Sequence, residues 1–229
     1  MIKVENIEKS YNGERVLKGV SLVIKNGEFV CVMGESGSGK STLLSILGGF
    51  LSPDKGRVLW DGKDIASLSE KELSALRCDK MGFVFQSYKL IPTLNVNDNL
   101  HLPTVLGKKL SEETKKYIKM LIEELEISPL LKKFPHELSG GQSQRVAIIR
   151  ALAYSPSVVI LDEPTGALDS RMEGKVMELL RRINREKKTT VIAVTHSGRV
   201  ASYAGRIIHL ADGEIAASAA GEKNGVTAK

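Results

Sequence analysis

The chain has 229 residues, of which 42% are hydrophobic, and a formal net charge of +6. This length suits one large domain, and no apolar run approaches the roughly 18 residues of a membrane span, so the sequence excludes an integral membrane protein. Two cysteines are too few for a disulfide framework, and the basic residues are scattered rather than grouped, so we expect a chain from a reducing cytoplasm with no nucleic-acid partner.

The first 90 residues predict mostly strands, because short apolar runs alternate with turn residues. Residues 28–33 form a strongly apolar run, and leucines and isoleucines at helical spacing follow from residue 43. The predicted elements are several short strands within residues 1–33, a helix after residue 40, and strands at 56–60 and 81–85.

The second part of the chain predicts helices, followed by alternating strands and helices. Residues 97–152 are helical and charged in character, with a capping signal at Ser111 and a helix that begins near residue 140. After residue 152, the predicted strands and helices alternate in the order of a βαβ unit, which predicts a parallel sheet. The predicted elements there are strand 158–161, helix 172–186, strand 190–195 and a closing hairpin at 207–215. From Ala216 the residues are small and polar, and residues 218–229 are predicted to form a disordered tail.

A phosphate-binding loop lies between the strand at 28–33 and the helix after it. The sequence from Gly34 to Ser41 fits the pattern G-x-x-x-x-G-K-[ST], in the strand–loop–helix context that this motif requires. Glycines allow successive backbone N–H groups to converge on phosphates, and the helix adds its positive end. We expect Lys40 to reach the β- and γ-phosphates, Ser41 to place its hydroxyl on Mg²⁺, and Thr42 to lie near the α-phosphate. The nucleotide-binding candidates of this loop are Gly34, Ser36, Gly37, Ser38, Gly39, Lys40, Ser41 and Thr42.

A second motif points to one family. The run Leu138-Ser139-Gly140-Gly141-Gln142 is expected by chance on the order of once per million windows at ordinary residue usage. Together with the phosphate loop, it resembles the signature of the ATP-binding cassette (ABC) ATPases, and the resemblance extends from about Ile2 to Glu214. It implies an α/β fold with a P-loop NTPase (RecA-like) core, an N-terminal antiparallel β subdomain and an inserted α-helical subdomain at about residues 90–152. All of these would belong to one nucleotide-binding domain of residues 1–217.

Polar residues at the ends of predicted strands complete the candidate site. The apolar strand 158–161 leads into Asp162 and Glu163, and ligands bind at the carboxyl ends of parallel strands. The resemblance implies that Asp162 holds Mg²⁺ and that Glu163 polarises the attacking water. It also implies that Gln86 contacts Mg²⁺ and this water, and that His196 senses the γ-phosphate. From the residues alone, a single glutamine is weak support, and a single histidine after a strand is more often structural.

The resemblance also implies roles for Tyr11 and for the signature. Tyr11 matches an aromatic residue that stacks on adenine, although a surface tyrosine beside a strand turn is nearly as well supported by the residues alone. The signature precedes a helix and forms a second anion site, which in the family caps the nucleotide of a second subunit. We therefore expect ATP to join two copies of the chain head to tail, and hydrolysis to release them. The residues expected at this interface are Ser139, Gly140, Gly141, Gln142 and Asp169.

Several segments resemble the branch of lipoprotein-release, macrolide-export and antimicrobial-peptide-resistance systems, among them Phe85–Tyr88 and Glu163–Ser170. The resemblance implies an ATP-hydrolysing subunit on the cytoplasmic face of the membrane, attached there through an integral membrane permease, with residues 87–98 in the groove that receives the permease. Ser197 stands where the family usually has aspartate, which leaves the surroundings of His196 open. Two alternatives also stay open: a regulatory ABC ATPase that signals through a membrane partner without transport, and a soluble ABC ATPase of the iron–sulfur assembly type.

Overall fold

Two β-sheets and the helices packed on them make up the fold. A computed structural model describes residues 1–107 and 109–216 of the chain. The strands are β1 (Ile2–Tyr11), β2 (Glu14–Ile24), β3 (Phe29–Met33), β4 (Lys55–Trp60), β5 (Lys63–Asp64), β6 (Met81–Val84), β7 (Val158–Asp162), β8 (Thr190–Thr195), β9 (Arg206–Ala211) and β10 (Glu214–Ile215). The helices are α1 (Lys40–Leu47), α2 (Glu70–Lys80), α3 (Val96–Leu106), α4 (Glu112–Glu124), α5 (Gly140–Leu152), α6 (Ser170–Lys187) and α7 (Gly198–Ala201). Within the described ranges, none of these helices has the length and hydrophobicity of a membrane span. The tail predicted at 218–229 lies outside the described residues.

The smaller sheet is antiparallel, with its strands in the order β2-β1-β4-β5. Ile2, Val4 and Ile7 of β1 are buried, so one face of this sheet packs on the core. β1 and β2 are joined by Asn12 and Gly13, both with positive φ, as a two-residue hairpin turn requires. The prediction of short strands was wrong here, since β1 and β2 have 10 and 11 residues. Their pairing contains three register shifts, which bend the two strands without ending them.

The larger sheet has the strand order β10-β9-β3-β8-β7-β6. All of its neighbouring pairs are parallel except the closing hairpin of β9 and β10. Every residue of β7 and β8 is buried, which explains the continuous apolar runs of these two strands. Because the strands are parallel, the loops that follow β3, β6, β7 and β8 meet at the same edge of the sheet.

Three helices, α3, α4 and α5, lie between β6 and β7 in the chain and pack on one another. The predicted helix starts at Ser111 and at the signature are confirmed, because Ser111 and Ser139 are the N-caps of α4 and α5. α5 also crosses β6 so closely that a Cβ atom at Gly82 would lie 2.1 Å from the carbonyl oxygen of Ala151. The signature helix is therefore fixed directly on the parallel sheet.

This close contact predicts that a methyl group added at residue 82 destabilises the fold. We expect Gly82→Ala to lower the free energy of unfolding by about 1–3 kcal/mol, because β6 and α5 must separate to admit it. Gly198→Ala is the matched control, since a Cβ atom there meets open space and alanine favours a helix. Urea unfolding of both variants checks the prediction, and equal stabilities would contradict it.

Candidate functional site

The phosphate loop connects β3 to α1 and is held against the rest of the protein by its backbone. Gly37 and Gly39 have φ values of +84° and +97°, which strongly favour glycine. A Cβ atom at Gly34 would lie 2.1 Å from the carbonyl oxygen of Leu210, and one at Gly39 would lie 2.9 Å from that of Val16. The glycines of the motif are thus needed for the contacts with β9 and β2 as well as for the turn itself.

The first turn of α1 is open to an anionic ligand. Across the described chain, no side chain caps this helix at Gly39 and no acid lies in its first turn, so its N–H groups are available to phosphates. The buried hydroxyl of Ser38 likewise has no hydrogen-bond partner among the described residues. Lys40 is only 8% exposed, and its Nζ donates hydrogen bonds to the carbonyl oxygens of Gly34 at 2.8 Å and Glu35 at 2.6 Å. These bonds hold the ammonium group over the loop.

Asp162 ends β7 beside this loop and has the surroundings of a magnesium ligand. Its carboxyl group is buried, and among the described residues its Oδ1 atom has no hydrogen-bond partner. Burial raises the pKa of Asp162, while the nearby Ser41 hydroxyl and Lys40 ammonium oppose this rise. Carboxylate and hydroxyl oxygens beside bound phosphates are the ligands that Mg²⁺ prefers. The residues present therefore fit the Mg²⁺ ion that the phosphate loop implies.

Glu163 is oriented by the strand next to its own. Its Oε2 accepts a hydrogen bond from Thr195 Oγ1 at 3.0 Å, and its Oε1 lies 2.9 Å from Nδ1 of His196. Its backbone N–H donates to the carbonyl oxygen of Val194 at 3.0 Å. The Glu163 side chain is 17% exposed, whereas that of His196 is 76% exposed. The carboxylate is thus fixed on its inner side and has the histidine on its open side.

These groups line one open cleft of about 810 Å³. Gln86 reaches it from the polar turn after β6, which ends at Val84, slightly earlier than predicted. Tyr11 reaches it from the end of β1 and is 46% exposed. The structure therefore brings Tyr11, Gln86, both acids and His196 together around the phosphate loop.

The signature lies at a second cleft, at the N-terminus of α5. Ser139 and Gln142 form a capping box, in which the Ser139 N–H donates to Gln142 Oε1 at 2.9 Å and the Gln142 N–H donates to Ser139 Oγ at 3.3 Å. Within the described part of the chain, no residue lines both clefts. The predicted nucleotide-binding residues therefore form two separate groups in one chain. The second cleft is lined by Glu126, Ser139, Gly140, Gly141, Gln142, Arg145, Ala167, Leu168, Asp169, Arg171 and Met172.

Cationic groups surround Glu126 at the second cleft. Its carboxylate accepts hydrogen bonds from Arg171 at 2.7 and 2.9 Å and from Lys175 at 2.6 Å. These two partners hold the pKa of Glu126 well below its usual range. Asp169 caps the start of α6 by accepting hydrogen bonds from the N–H groups of Arg171 and Met172. The cleft thus combines the positive end of a capped helix with arginine side chains, of which Arg171 is paired with Glu126, and the helix dipole favours an anion there.

Sequence analysis assigned no site role to two residues that contact Glu163, Thr195 and Gln144. Thr195 donates a hydrogen bond to its carboxylate and accepts one from the backbone N–H of Ser197 at 3.0 Å, a bond that does not depend on the side chain at 197. Gln144 is 2% exposed, and it bonds the backbone of Glu163 and of Ala167. The available signal for Gln144 was a polar residue among the apolar positions of α5, because buried amides are almost always hydrogen-bonded.

A family model described as "ABC transporter" matches residues 17–166, which include the phosphate loop, the signature and both acids. This chain belongs to the ABC transporter family. It is an ABC-type ATP hydrolase, and the fold class predicted from the resemblance is confirmed.

Relatives of this ABC ATPase fall in the predicted branch. It is 46% identical to the uncharacterized ABC transporter ATP-binding protein MJ0796 of Methanocaldococcus jannaschii, over 94% of this chain and 95% of that protein. It is 45% identical to the lipoprotein-releasing system ATP-binding protein LolD of Aquifex aeolicus, over 94% and 96% of the two chains. The macrolide export ATP-binding/permease protein MacB of Brucella melitensis is 45% identical, but the match spans 94% of this chain and only 34% of MacB.

A solved structure supports the same assignment. The dimeric post-hydrolysis structure of the ATP-binding cassette MJ0796 bound to ADP and Pi superposes on this chain with a TM-score of 0.89 and 42% identity. The match covers 95% of this chain and 97% of that structure.

The buried carboxyl of Asp162 predicts opposite effects on the stability of the nucleotide-free protein and on its stabilisation by ATP with Mg²⁺. Because burial disfavours the charged form of Asp162 in the folded chain, ionised Asp162 weakens folding at neutral pH. We expect Asp162→Asn to raise the melting temperature of the nucleotide-free protein and to abolish the added stabilisation by ATP with Mg²⁺. The gain disappears in acid, where Asp162 is protonated in both the folded and the unfolded chain.

Thermal melting with and without ATP and Mg²⁺ measures both effects. Asp212→Asn, in the exposed turn between β9 and β10, is the matched control and is expected to change neither. A nucleotide-free melting temperature below that of the wild type, or a full shift by ATP with Mg²⁺, would contradict this account of Asp162.

Proposed function

We propose that two copies of this chain close head to tail around two ATP molecules and drive an integral membrane permease. The observation that carries the dimer is the separation of the two clefts within one chain. Each chain offers a phosphate loop with its acids and, at another position, a helix N-terminus that favours anions. A twofold arrangement joins the first cleft of each copy to the second cleft of the other, so both nucleotides are enclosed by one symmetric interface. The dimeric structures of MJ0796 support the association of two copies.

In the proposed reaction, the phosphate loop holds ATP through its N–H groups and Lys40, and Tyr11 stacks on the adenine. Glu163 accepts a hydrogen bond from the attacking water and aligns it with the γ-phosphorus, while His196 contacts the γ-phosphate. The Ser139–Gln142 segment of the second copy covers the same phosphate. Most of the acceleration then comes from positioning and charge stabilisation, as in other phosphoryl transfers.

The metal site of this proposal consists of Ser41, Gln86 and Asp162. When bound, Mg²⁺ supplies positive charge that neutralises the phosphate oxygens. Ser41 and Asp162 offer oxygens beside the phosphate loop. Gln86 comes from the turn after β6, so its position depends on the segment that follows it.

That following segment, residues 87–98, is the proposed permease groove. Tyr88 and Lys89 both have positive φ values, an uncommon conformation for two consecutive non-glycine residues. The partly buried side chain of Arg150 holds them, its guanidinium donating to the carbonyl oxygens of Tyr88 and Lys89 at 2.7 Å each. Burial lowers the pKa of this guanidinium from its ordinary value. A partner that pushes on the segment would therefore move Gln86 on one side and α5 on the other.

The membrane partner is inferred from the relatives. LolD is named as part of a lipoprotein-releasing system, and MacB combines ATP-binding and permease parts in one protein. We propose that this chain works with a permease of the lipoprotein-release, macrolide-export or peptide-resistance type. It would then lie at the cytoplasmic face of the membrane without crossing it.

The role of Glu163 gives the first prediction of this proposal. Glu163→Gln keeps the shape of the side chain but removes its charge, so we expect ATP binding to persist and turnover to fall by about 100-fold or more. The ATP that is not hydrolysed then holds the two copies together. Size-exclusion chromatography with ATP and Mg²⁺ measures the dimer, and phosphate release measures turnover.

Glu178→Gln is the matched control, because Glu178 lies on α6 with a 63% exposed side chain. It is expected to show wild-type turnover and no trapped dimer. Wild-type turnover in Glu163→Gln would assign the polarising role to another residue, and a monomer in the presence of ATP would contradict the head-to-tail dimer.

The permease assignment is tested by co-purification. We expect tagged Glu163→Gln, expressed in its native host and extracted gently with ATP and Mg²⁺, to retain a multi-span permease. Substituting Tyr88 or Leu90 in the same background is expected to release the permease while ATP still joins the two copies. Recovery of soluble partners alone would favour the iron–sulfur assembly type. A membrane partner that responds to ATP without moving cargo would favour a regulatory ATPase.

A further inference from the structure

One buried side chain joins the signature helix to the loop that carries the catalytic acid. Gln144 lies in the second turn of α5 and is 2% exposed. Its Nε2 donates to the carbonyl oxygen of Glu163 at 2.6 Å, and its Oε1 accepts from the N–H of Ala167 at 2.9 Å. The side-chain amide therefore bridges two backbone groups of this loop, and both its nitrogen and its oxygen are hydrogen-bonded.

The backbone that Gln144 contacts is in an unusual conformation. Glu163 has a φ of +48°, and a non-glycine residue adopts the left-handed region only when its surroundings stabilise it. Its N–H is bonded to Val194 and its carbonyl oxygen to Gln144. The peptide group before the Glu163 Cα atom is thus fixed by one hydrogen bond, and the one after it by the short bond from Gln144 and a longer one from the Gly166 N–H at 3.3 Å. These bonds determine where the side chain begins.

The signature approaches the same loop through its backbone. A Cβ atom at Gly141 would lie 2.7 Å from the carbonyl oxygen of Ala167. Ala167 is also the residue whose N–H bonds Gln144. The N-terminal turn of α5 and residues 163–167 are therefore in direct contact, and Gln144 supplies the directional bonds within that contact.

We propose that Gln144 is a positioning residue for hydrolysis, which holds Glu163 in its left-handed conformation and ties it to the signature helix of the same chain. This inference rests on the proposed role of Glu163 in polarising water. Gln144 itself is buried and lines neither of the two clefts. This connection has a consequence. A shift of the signature, which in the proposed dimer faces the partner's ATP, would move Glu163 of the same chain through the side chain of Gln144.

Gln144→Met tests the proposal, because methionine has a similar length and removes both hydrogen bonds. We expect kcat to fall by about 10- to 100-fold, the effect of misplacing a reacting group by a fraction of an ångström to an ångström. The affinity for ATP is expected to stay unchanged, since the phosphate loop does not contact Gln144. Gln144→Glu keeps the acceptor for Ala167 but loses the donor to Glu163, so the same fall in kcat is expected.

Asn184→Leu is the control for a purely structural role. Asn184 also carries an amide that bridges two backbone groups, the carbonyl oxygens of Gly27 at 3.0 Å and Thr189 at 2.7 Å. Gly27 and Thr189 precede β3 and β8, whereas the site lies at the carboxyl ends of these strands. We expect this control to lower the melting temperature without changing kcat, when each variant is assayed well below its own melting temperature. Equal losses of kcat in Gln144→Met and Asn184→Leu would overturn the proposal.

The double variant Glu163→Gln, Gln144→Met distinguishes two roles for Gln144: one that acts through Glu163 and one that acts on the signature. If Gln144 acts through Glu163, the second substitution adds no further loss in a single-turnover assay with radiolabelled ATP, and the ATP-dependent dimer of Glu163→Gln persists. Losses that multiply, or a dimer that disappears, would overturn the proposal by showing that Gln144 acts on the signature instead. Wild-type turnover in Glu163→Gln alone would reject the role of the acid and is read from that single variant.

Discussion

The parallel register of four strands sets the geometry on which the whole site depends. Val194 of β8 is level with Val32 of β3 on one side and with Asp162 of β7 on the other. The phosphate loop, the two acids and the histidine therefore leave the sheet at nearly the same height. A slip of one residue would turn each of these side chains to the opposite face. Because both faces of β7 and β8 are buried, the fit of individual side chains in the close-packed core opposes such a slip.

The loops at this edge are held by backbone contacts and by a few buried polar side chains. Glycines in the phosphate loop allow an approach that a methyl group would block. On α5, Gln144 fixes the loop after β7, and Arg150 fixes the turn at Tyr88 and Lys89. These two side chains therefore tie two functional segments to one helix. The helix is in turn held on the sheet at Gly82.

Much of this arrangement could be predicted from the sequence, because it is encoded in local patterns. The phosphate loop, the signature and the acids after an apolar strand are contiguous motifs, and α4 and α5 begin at the caps that the sequence indicates. The length of β1 and β2 was not predictable, since it depends on register shifts that have no local signal. The roles of Thr195 and Gln144 were not predicted, for a different reason. Their importance comes from partners 32 and 19 residues away in the chain, and single-sequence patterns carry no information about such pairs. The site roles assigned through the family resemblance stay predictions.

The separation of the two clefts determines how the rate of ATP hydrolysis depends on protein concentration. If each active site needs residues from two copies, isolated subunits meet by diffusion, and turnover in dilute solution rises with the square of protein concentration. A permease that carries two copies replaces this encounter with a high effective concentration, on the order of millimolar for closely tethered partners. Attachment at the membrane would then change the reaction from second order to first order in the assembled complex. The same subunit would be nearly idle when free and active when paired, with no change in any residue that touches ATP.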